Sequence, residues 1–201
     1  MSVIRRGMHP APAFHWTDRD ELLAFVRDRA FATLFADRMV AYAPLIVDGD
    51  TCLLHLSRAN PLANALPVRV TAVVLGPDAY VSPDWYAAED QVPTWNYVAV
   101  ELEGELAEAD VRDIVIKQSA ELEGRIAGKR PWTPDKMTPD VLEAKLRGIR
   151  GARLRIDALR GTRKLSQNKS AEDRSGVIRA LAASKREADR AVAELASRLL
   201  R

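Results

Sequence analysis

The sequence predicts a mainly β protein with helical additions, an α+β fold whose strands close into a barrel. Three observations carry that prediction. Short runs rich in apolar and β-branched residues recur through the first half, at residues 32–35, 40–47, 51–56 and 68–75. Turn signals separate them, with Asp48-Gly49-Asp50 reading as a hairpin and Gly76-Pro77-Asp78 as a strand end. The apolar spacing then switches to the helical period after residue 110 and again after residue 169. Several short strands joined by tight turns favour a barrel over a doubly wound sheet.

Taken in order, the first helix is expected from Thr17 through about Ala30, where Leu22, Leu23, Phe25, Val26 and Ala30 form an apolar face. Three strand-like runs follow. Asn60-Pro61 has the form of an N-cap followed by proline at the first helical position. Residues 68–75 read as a buried strand, and residues 79–81 and 95–106 as further strands around a proline-bearing loop. Val111, Ile114, Val115, Gln118, Leu122 and Ile126 recur at helical spacing, which predicts a helix ending near Gly128. Pro131, Pro134 and Pro139 mark a linker before a second helix at 141–147. Residues 153–159 alternate basic and apolar groups as a half-buried strand does. From Ser170 to the end the chain reads as helix. The expected organisation is a single domain over residues 1–201, with a helical insertion near 110–150 and a C-terminal helical region near 169–201.

Composition bounds the function. With 47% hydrophobic and 29% charged residues in 201, the chain has the make-up of a globular protein rather than a disordered one. No apolar run approaches the roughly 20 residues a membrane helix needs, and the N-terminus lacks a secretory pattern. The expected location is cytoplasmic. Cys52 stands alone and His9, His15 and His55 are scattered, so neither an internal disulfide nor a metal site is expected. Charge is uneven: residues 145–201 hold 16 Lys/Arg against 6 Asp/Glu, and residues 1–144 hold 14 against 22. The basic charges are dispersed, which favours pairing with acidic surface of this chain or a partner over a nucleic-acid footprint. No helix-turn-helix with a compact set of base-reading side chains is visible, so DNA is a weakly supported partner.

Three polar segments could carry chemistry. Ser57, Arg58 and Asn60 lie where a strand end meets a helix start, a place that suits a phosphate; the plainer reading is a capped surface helix with a solvated arginine. Trp95, Asn96 and Tyr97 follow Thr94 along a strand, with both aromatics on one face. They either stack a flat ligand or fill the barrel core. Lys164, Gln167 and Asn168, with Ser166 between them, open the last helical region as either ligand contacts or a polar connector. No nucleophile and base stand paired, so the catalytic residues are unassigned.

Five ordered stretches together resemble the PaiB family: Phe31-Ala-Thr-Leu34, His55-Leu-Ser-Arg-Ala-Asn-Pro61, the segment from Gly76 to Tyr86, Val92-Pro-Thr-Trp-Asn-Tyr97 and Lys164-Leu-Ser-Gln-Asn168. The resemblance implies an FMN-binding split β-barrel, usually a homodimer with flavin near the subunit interface. It implies FMN as cofactor, Ser57, Arg58 and Asn60 on the phosphate side, and Trp95, Asn96, Tyr97, Lys164, Gln167 and Asn168 around the flavin ring. The implied role is a transcriptional regulator or flavin-dependent sensor. The alternatives are an FMN-dependent oxidoreductase, since bound flavin carries hydride or electrons, and a flavin-free dimeric regulator. The last follows from departures from the family pattern: short connections at 35–39 and 86–92, and Leu54 in place of a common glycine.

Overall fold

The computed structural model describes residues 9–199. Its strands form an antiparallel sheet in the order β1-β8-β6-β5-β2-β3-β4-β7, with β6 also pairing with β7. In chain order the elements are β1 (His15–Trp16), α1 (Arg19–Arg29), β2 (Phe31–Ala36), β3 (Met39–Asp48), β4 (Thr51–Ser57), α2 (Pro61–Asn64) and β5 (Val68–Val81). There follow β6 (Thr94–Ala109), α3 (Val111–Glu123), α4 (Pro139–Leu146), β7 (Ile149–Arg155), β8 (Ala158–Lys164), α5 (Ala171–Ala182) and α6 (Glu187–Arg198). Together these make the α+β split barrel expected from the sequence.

The chain divides into two compact units. The barrel unit comprises Arg19–Val74 and Glu101–Leu159. Its strands close on themselves as β6-β5-β2-β3-β4-β7, with β7 returning to β6 through Leu106 opposite Leu154. Closure removes free sheet edges, and the inward positions are filled by an alternation of small and large residues. Ala32, Leu34, Ala41, Ala43, Leu45, Leu53, Leu54, Leu102, Leu106 and Leu154 are all buried. Each leucine sealed from water contributes about 1.5–3 kcal/mol. The β3–β4 hairpin turns on Gly49, at φ +60, with Asp48 opposite Thr51 as expected. Strand β6 approaches β7 so closely that a Cβ on Gly104 would lie 1.6 Å from the Arg155 carbonyl oxygen.

Helix α3 is fixed to this barrel by one buried amide. Ile114 packs with Ile46 and Leu53, and one turn on, Gln118 is 4% exposed. Its Nε2 donates to the Pro44 and Leu53 carbonyls at 3.0 and 3.1 Å. Its Oε1 lies 2.8 Å from His55 Nδ1. Because the amide nitrogen serves two carbonyls, the oxygen is the acceptor and His55 carries its proton on Nδ1. Gln118→Leu keeps the bulk and removes the amide's three hydrogen bonds, one buried and two part-buried. The expected loss is about 2–4 kcal/mol, read from a urea unfolding midpoint; an unchanged midpoint would show that α3 is held by packing alone.

The second unit comprises Met1–Asp18, Leu75–Val100 and Arg160–Arg201. Here β1 pairs with β8 through His15 opposite Thr162, and Arg163 stacks its guanidinium 4.5 Å over the Trp16 ring. Helices α5 and α6 bury Val177, Leu181, Val192, Ala193 and Ala196.

Several expected boundaries move. Gly76-Pro77-Asp78 does not end β5, because proline's fixed φ lies within the extended region. The segment instead shifts the phase of burial, from Val70, Ala72 and Val74 to Ala79 and Val81. Helix α3 stops at Glu123 rather than near Gly128. The strand expected at 153–159 is two strands parted at Ile156 and Asp157, with the Asp157 N–H donating to the Glu103 carbonyl. The C-terminal helix is interrupted at 183–186, where Ser184 Oγ accepts from Arg186 N–H and donates to Asp189 Oδ2. The lone Cys52 is fully buried, and burial pushes its thiol up to about 12.

Candidate functional site

In the second unit, β6 and the segment after β8 enclose a cavity of about 170 Å³, lined by Phe14, Tyr86, Val92, Thr94, Asn96, Lys164, Ser166, Asn168 and Lys169. Its polar floor follows from strand periodicity. Asn96, Val98, Val100 and Leu102 point to one face of β6 and all are buried. Asn96 is therefore the inward residue, at 0% exposure, while Trp95 is 45% exposed. A buried amide needs partners, and Ser166 supplies them: Asn96 Nδ2 donates to Ser166 Oγ at 3.0 Å, with Asn96 Oδ1 at 3.3 Å. Ser166 adopts the left-handed region at φ +64.

Two ammonium groups border this floor. Lys164 Nζ donates to Thr94 Oγ1 at 2.6 Å and to the Trp95 carbonyl at 2.7 Å, and it lies 5.6 Å from the centre of the Phe14 ring. Burial pushes its pKa down, and the neighbouring Lys169 charge pushes it further the same way. An anion in the cavity would push it the other way, by favouring the charged ammonium. Lys169 Nζ donates to Gln91 Oε1 at 2.6 Å and sits 4.8 Å over the Tyr86 ring. The cavity lining contains no carboxylate.

Tyr86 completes the wall. It is 9% exposed, and among the described residues its buried hydroxyl has no partner at full hydrogen-bonding geometry, while Ser166 and the Asp173 carboxylate both stand close enough to influence its ionisation. Burial holds the phenol above its ordinary pKa, so at neutral pH it is a donor. Its loop is clamped by α5. Asp173 Oδ1 accepts from the Ala87 and Ala88 N–H groups at 2.8 and 3.1 Å, and these bonds, the Ala88 one foremost, hold its carboxyl below the usual range. One turn along, Gly176 lies so close that a Cβ there would be 2.1 Å from the Trp85 carbonyl oxygen.

The structure therefore brings Asn96, Lys164 and Asn168 together at the cavity. It places three other expected contacts elsewhere. Trp95 turns outward, donating from Nε1 to Asp78 Oδ2 at 2.9 Å and meeting Tyr80 edge to face. Tyr97 shares that outward face and is half-buried. Gln167 folds back on its own turn, accepting from Leu165 N–H at 2.7 Å and donating to the Arg163 carbonyl. The reading in which both aromatics fill the core fails for the same reason of strand parity. Phe14, Tyr86, Val92, Ser166 and Lys169 line the cavity without having been singled out as contacts. The parity of Val98, Val100 and Leu102 could have placed Asn96 inward, and hence its partner Ser166 beside it.

Ser57, Arg58 and Asn60 lie in the barrel unit at the start of α2, as expected. Ser57 Oγ accepts from Ala59 N–H, Asn60 Oδ1 accepts from Leu62 N–H, and Arg58 Nε donates to the Arg147 carbonyl at 2.9 Å. Among the described residues, no cluster of three or more His, Cys, Asp or Glu could hold a metal ion, and no helix is long and apolar enough to cross a membrane.

Residues 8–158 match the model of a family described as "Putative FMN-binding domain". The chain is 29% identical over 179 residues to the protease synthase and sporulation protein PAI 2 of Bacillus subtilis, spanning 84% of this chain and 86% of that protein. In structure it resembles the FAD and heme binding protein from Mycobacterium smegmatis, with a TM-score of 0.58 at 18% identity over 80% of this chain and 78% of that one. The flavocytochrome Anf3 from Azotobacter vinelandii aligns similarly, with a TM-score of 0.57 at 18% identity over 81% and 75%.

Proposed function

Because the chain belongs to the PaiB family of FMN-binding-domain proteins, we propose that it binds FMN as a homodimer and acts as a flavin-dependent sensor or transcriptional regulator. The observation that carries this reading is the cavity beside Lys164. It offers an ammonium group, the Asn168 amide and an aromatic wall in Phe14, which suits a planar ligand with a polar edge and negative charge. Bound FMN would supply redox chemistry. The residues here would bind and orient it: Lys164 opposes negative charge, and Ser166 locks Asn96 in place. Ser57, Arg58 and Asn60 are the residues assigned to the phosphate side, with Trp95, Tyr97 and Gln167 supporting the pocket from outside its lining.

Size favours the dimer. Pockets that enclose a whole ligand run from about 300 Å³ upward, so a cavity of about 170 Å³ takes only part of FMN. The outer face of the barrel supports a subunit contact. Phe31, Phe35, Val40 and Tyr42 are 54%, 43%, 44% and 69% exposed, and Phe35 lies opposite Val40 in the ladder of β2 and β3. An apolar patch of this kind marks an interaction surface.

Titration of the purified protein with FMN and with riboflavin, followed by flavin fluorescence, tests the reading. Micromolar binding of FMN is expected. Arg58→Ala is expected to weaken FMN about tenfold, the worth of a hydrogen bond to a charged group, and to leave riboflavin unchanged. Equal loss for both flavins would remove Arg58 from the phosphate side. Absence of binding would favour the flavin-free regulator, and oxidation of reduced nicotinamide by the loaded protein would favour the oxidoreductase.

A further inference from the structure

We propose that Lys164 is an amine nucleophile, whose Nζ condenses with the carbonyl carbon of a small α-oxo acid to form an imine in the cavity. Its hydrogen bonding supplies the first argument. Lys164 Nζ donates to Thr94 Oγ1 and to the Trp95 carbonyl, and among the described residues it has no third hydrogen-bond partner. An ammonium carries three N–H donors, one more than these bonds use. The neutral amine has two, so the same bonds satisfy it and leave its lone pair unengaged.

The surroundings supply the second argument. A lysine becomes nucleophilic when it is desolvated in an apolar pocket or set beside another cation, and both conditions hold here. Phe14, Tyr86 and Val92 give the cavity apolar walls. Burial is the larger cause lowering the Lys164 pKa, and the Lys169 charge is the other. Among the described residues, no carboxylate is close enough to oppose them. Lys169 lies instead 4.8 Å over the Tyr86 ring and near enough to Asp173 to act on that carboxyl. Of the two cations, Lys164 is the one without an acidic neighbour.

Lys169 selects the substrate. Its ammonium lines the same cavity and pairs with the carboxylate of a molecule whose carbonyl meets Lys164. A volume of about 170 Å³ suits a small oxo acid. In the condensation the Nζ lone pair forms the C–N bond, the two amine protons pass to the carbonyl oxygen, and that oxygen leaves as water. A C=N bond replaces C=O, and no oxidant or reductant is consumed.

The imine site shares its cavity with the flavin reading but rests only on the residues around Lys164. Reductive trapping tests it. The full-length protein is treated at neutral pH with glyoxylate or propanal in the presence of cyanoborohydride, and peptide mass spectrometry compares Lys164 with Lys117. Lys117 is the internal control, an exposed lysine whose pKa is raised, chiefly by its hydrogen bond to Asp113. Glyoxylate is expected to label Lys164 at least about tenfold faster than Lys117, and propanal to show a smaller preference. Lys169→Gln, with its fold confirmed by circular dichroism, is expected to reduce the glyoxylate preference to that of propanal. Equal labelling of Lys164 and Lys117 overturns the inference, and so does a glyoxylate preference that survives Lys169→Gln unchanged. FMN titration of the untreated protein is read separately. Selective labelling without FMN binding leaves the imine site standing and withdraws the flavin reading, and FMN binding without selective labelling does the reverse.

Discussion

Gly104→Ala is expected to unfold the barrel unit or to lower its stability by at least about 3 kcal/mol. Replacing glycine inside a strand ordinarily helps by about 0.5–1 kcal/mol, because the chain loses less entropy on folding. Here the new carbon would sit 1.6 Å from the Arg155 carbonyl oxygen and 2.9 Å from its carbonyl carbon. Both atoms are backbone, so no side chain can swing aside. Relief requires β6 and β7 to part, and this is the seam at which the barrel closes through Leu106 opposite Leu154. The bond from Asp157 N–H to the Glu103 carbonyl, beside the glycine, would be lost as well. Since a domain is stable by only about 5–15 kcal/mol, the variant should show a sharply lowered urea midpoint or collect in the insoluble fraction. A midpoint equal to that of the wild type would mean that the strands do not approach so closely.

Gly176→Ala is expected to weaken FMN binding about tenfold through displacement of the cavity wall, with a smaller effect on overall stability. Alanine is favoured over glycine in a helix by about 1 kcal/mol, so the sign of any stability change is itself informative. The added carbon would lie 2.1 Å from the Trp85 carbonyl oxygen, forcing the 83–85 turn away from α5. Tyr86 follows that turn, and its side chain would shift in the cavity wall. Asp173 is on the same side of α5 and would have to release or drag the Ala87 and Ala88 N–H groups. Titration with FMN, alongside a thermal melt, separates the outcomes. A raised melting temperature with undiminished affinity would show that the loop and helix are not in this contact.

The barrel strands were legible in sequence because they alternate and are bounded by turn residues. Strand β4 differs from its expected limits only by Ser57, and the β3–β4 turn falls where Gly49 allows it. What misled were residues whose meaning depends on distant partners. Gly76-Pro77 signals an end in isolation, yet the extended conformation continues and only the inward phase changes. Asp157 breaks a promising alternation because its backbone N–H is taken by Glu103, more than fifty positions away in the chain. Side-chain type also misdirected the site. Trp95 and Tyr97 drew attention as aromatics, but strand parity gives the inward place to Asn96. Tyr86 and Lys169 were harder to find, since only the folded chain brings the Lys169 ammonium over the Tyr86 ring beside the cavity.

Ser166 shows what the cavity asks of its own backbone. A non-glycine residue in the left-handed region is strained by roughly 1–2 kcal/mol, and asparagine or glycine would occupy φ +64 with less objection. The serine is kept there against conformational preference, and the benefit lies in its hydroxyl, which secures Asn96 at the cavity floor. The most comfortable sequence for this turn is thus not the one that shapes the pocket. A variant selected for thermal robustness alone would drift toward glycine at this position and let the floor loosen.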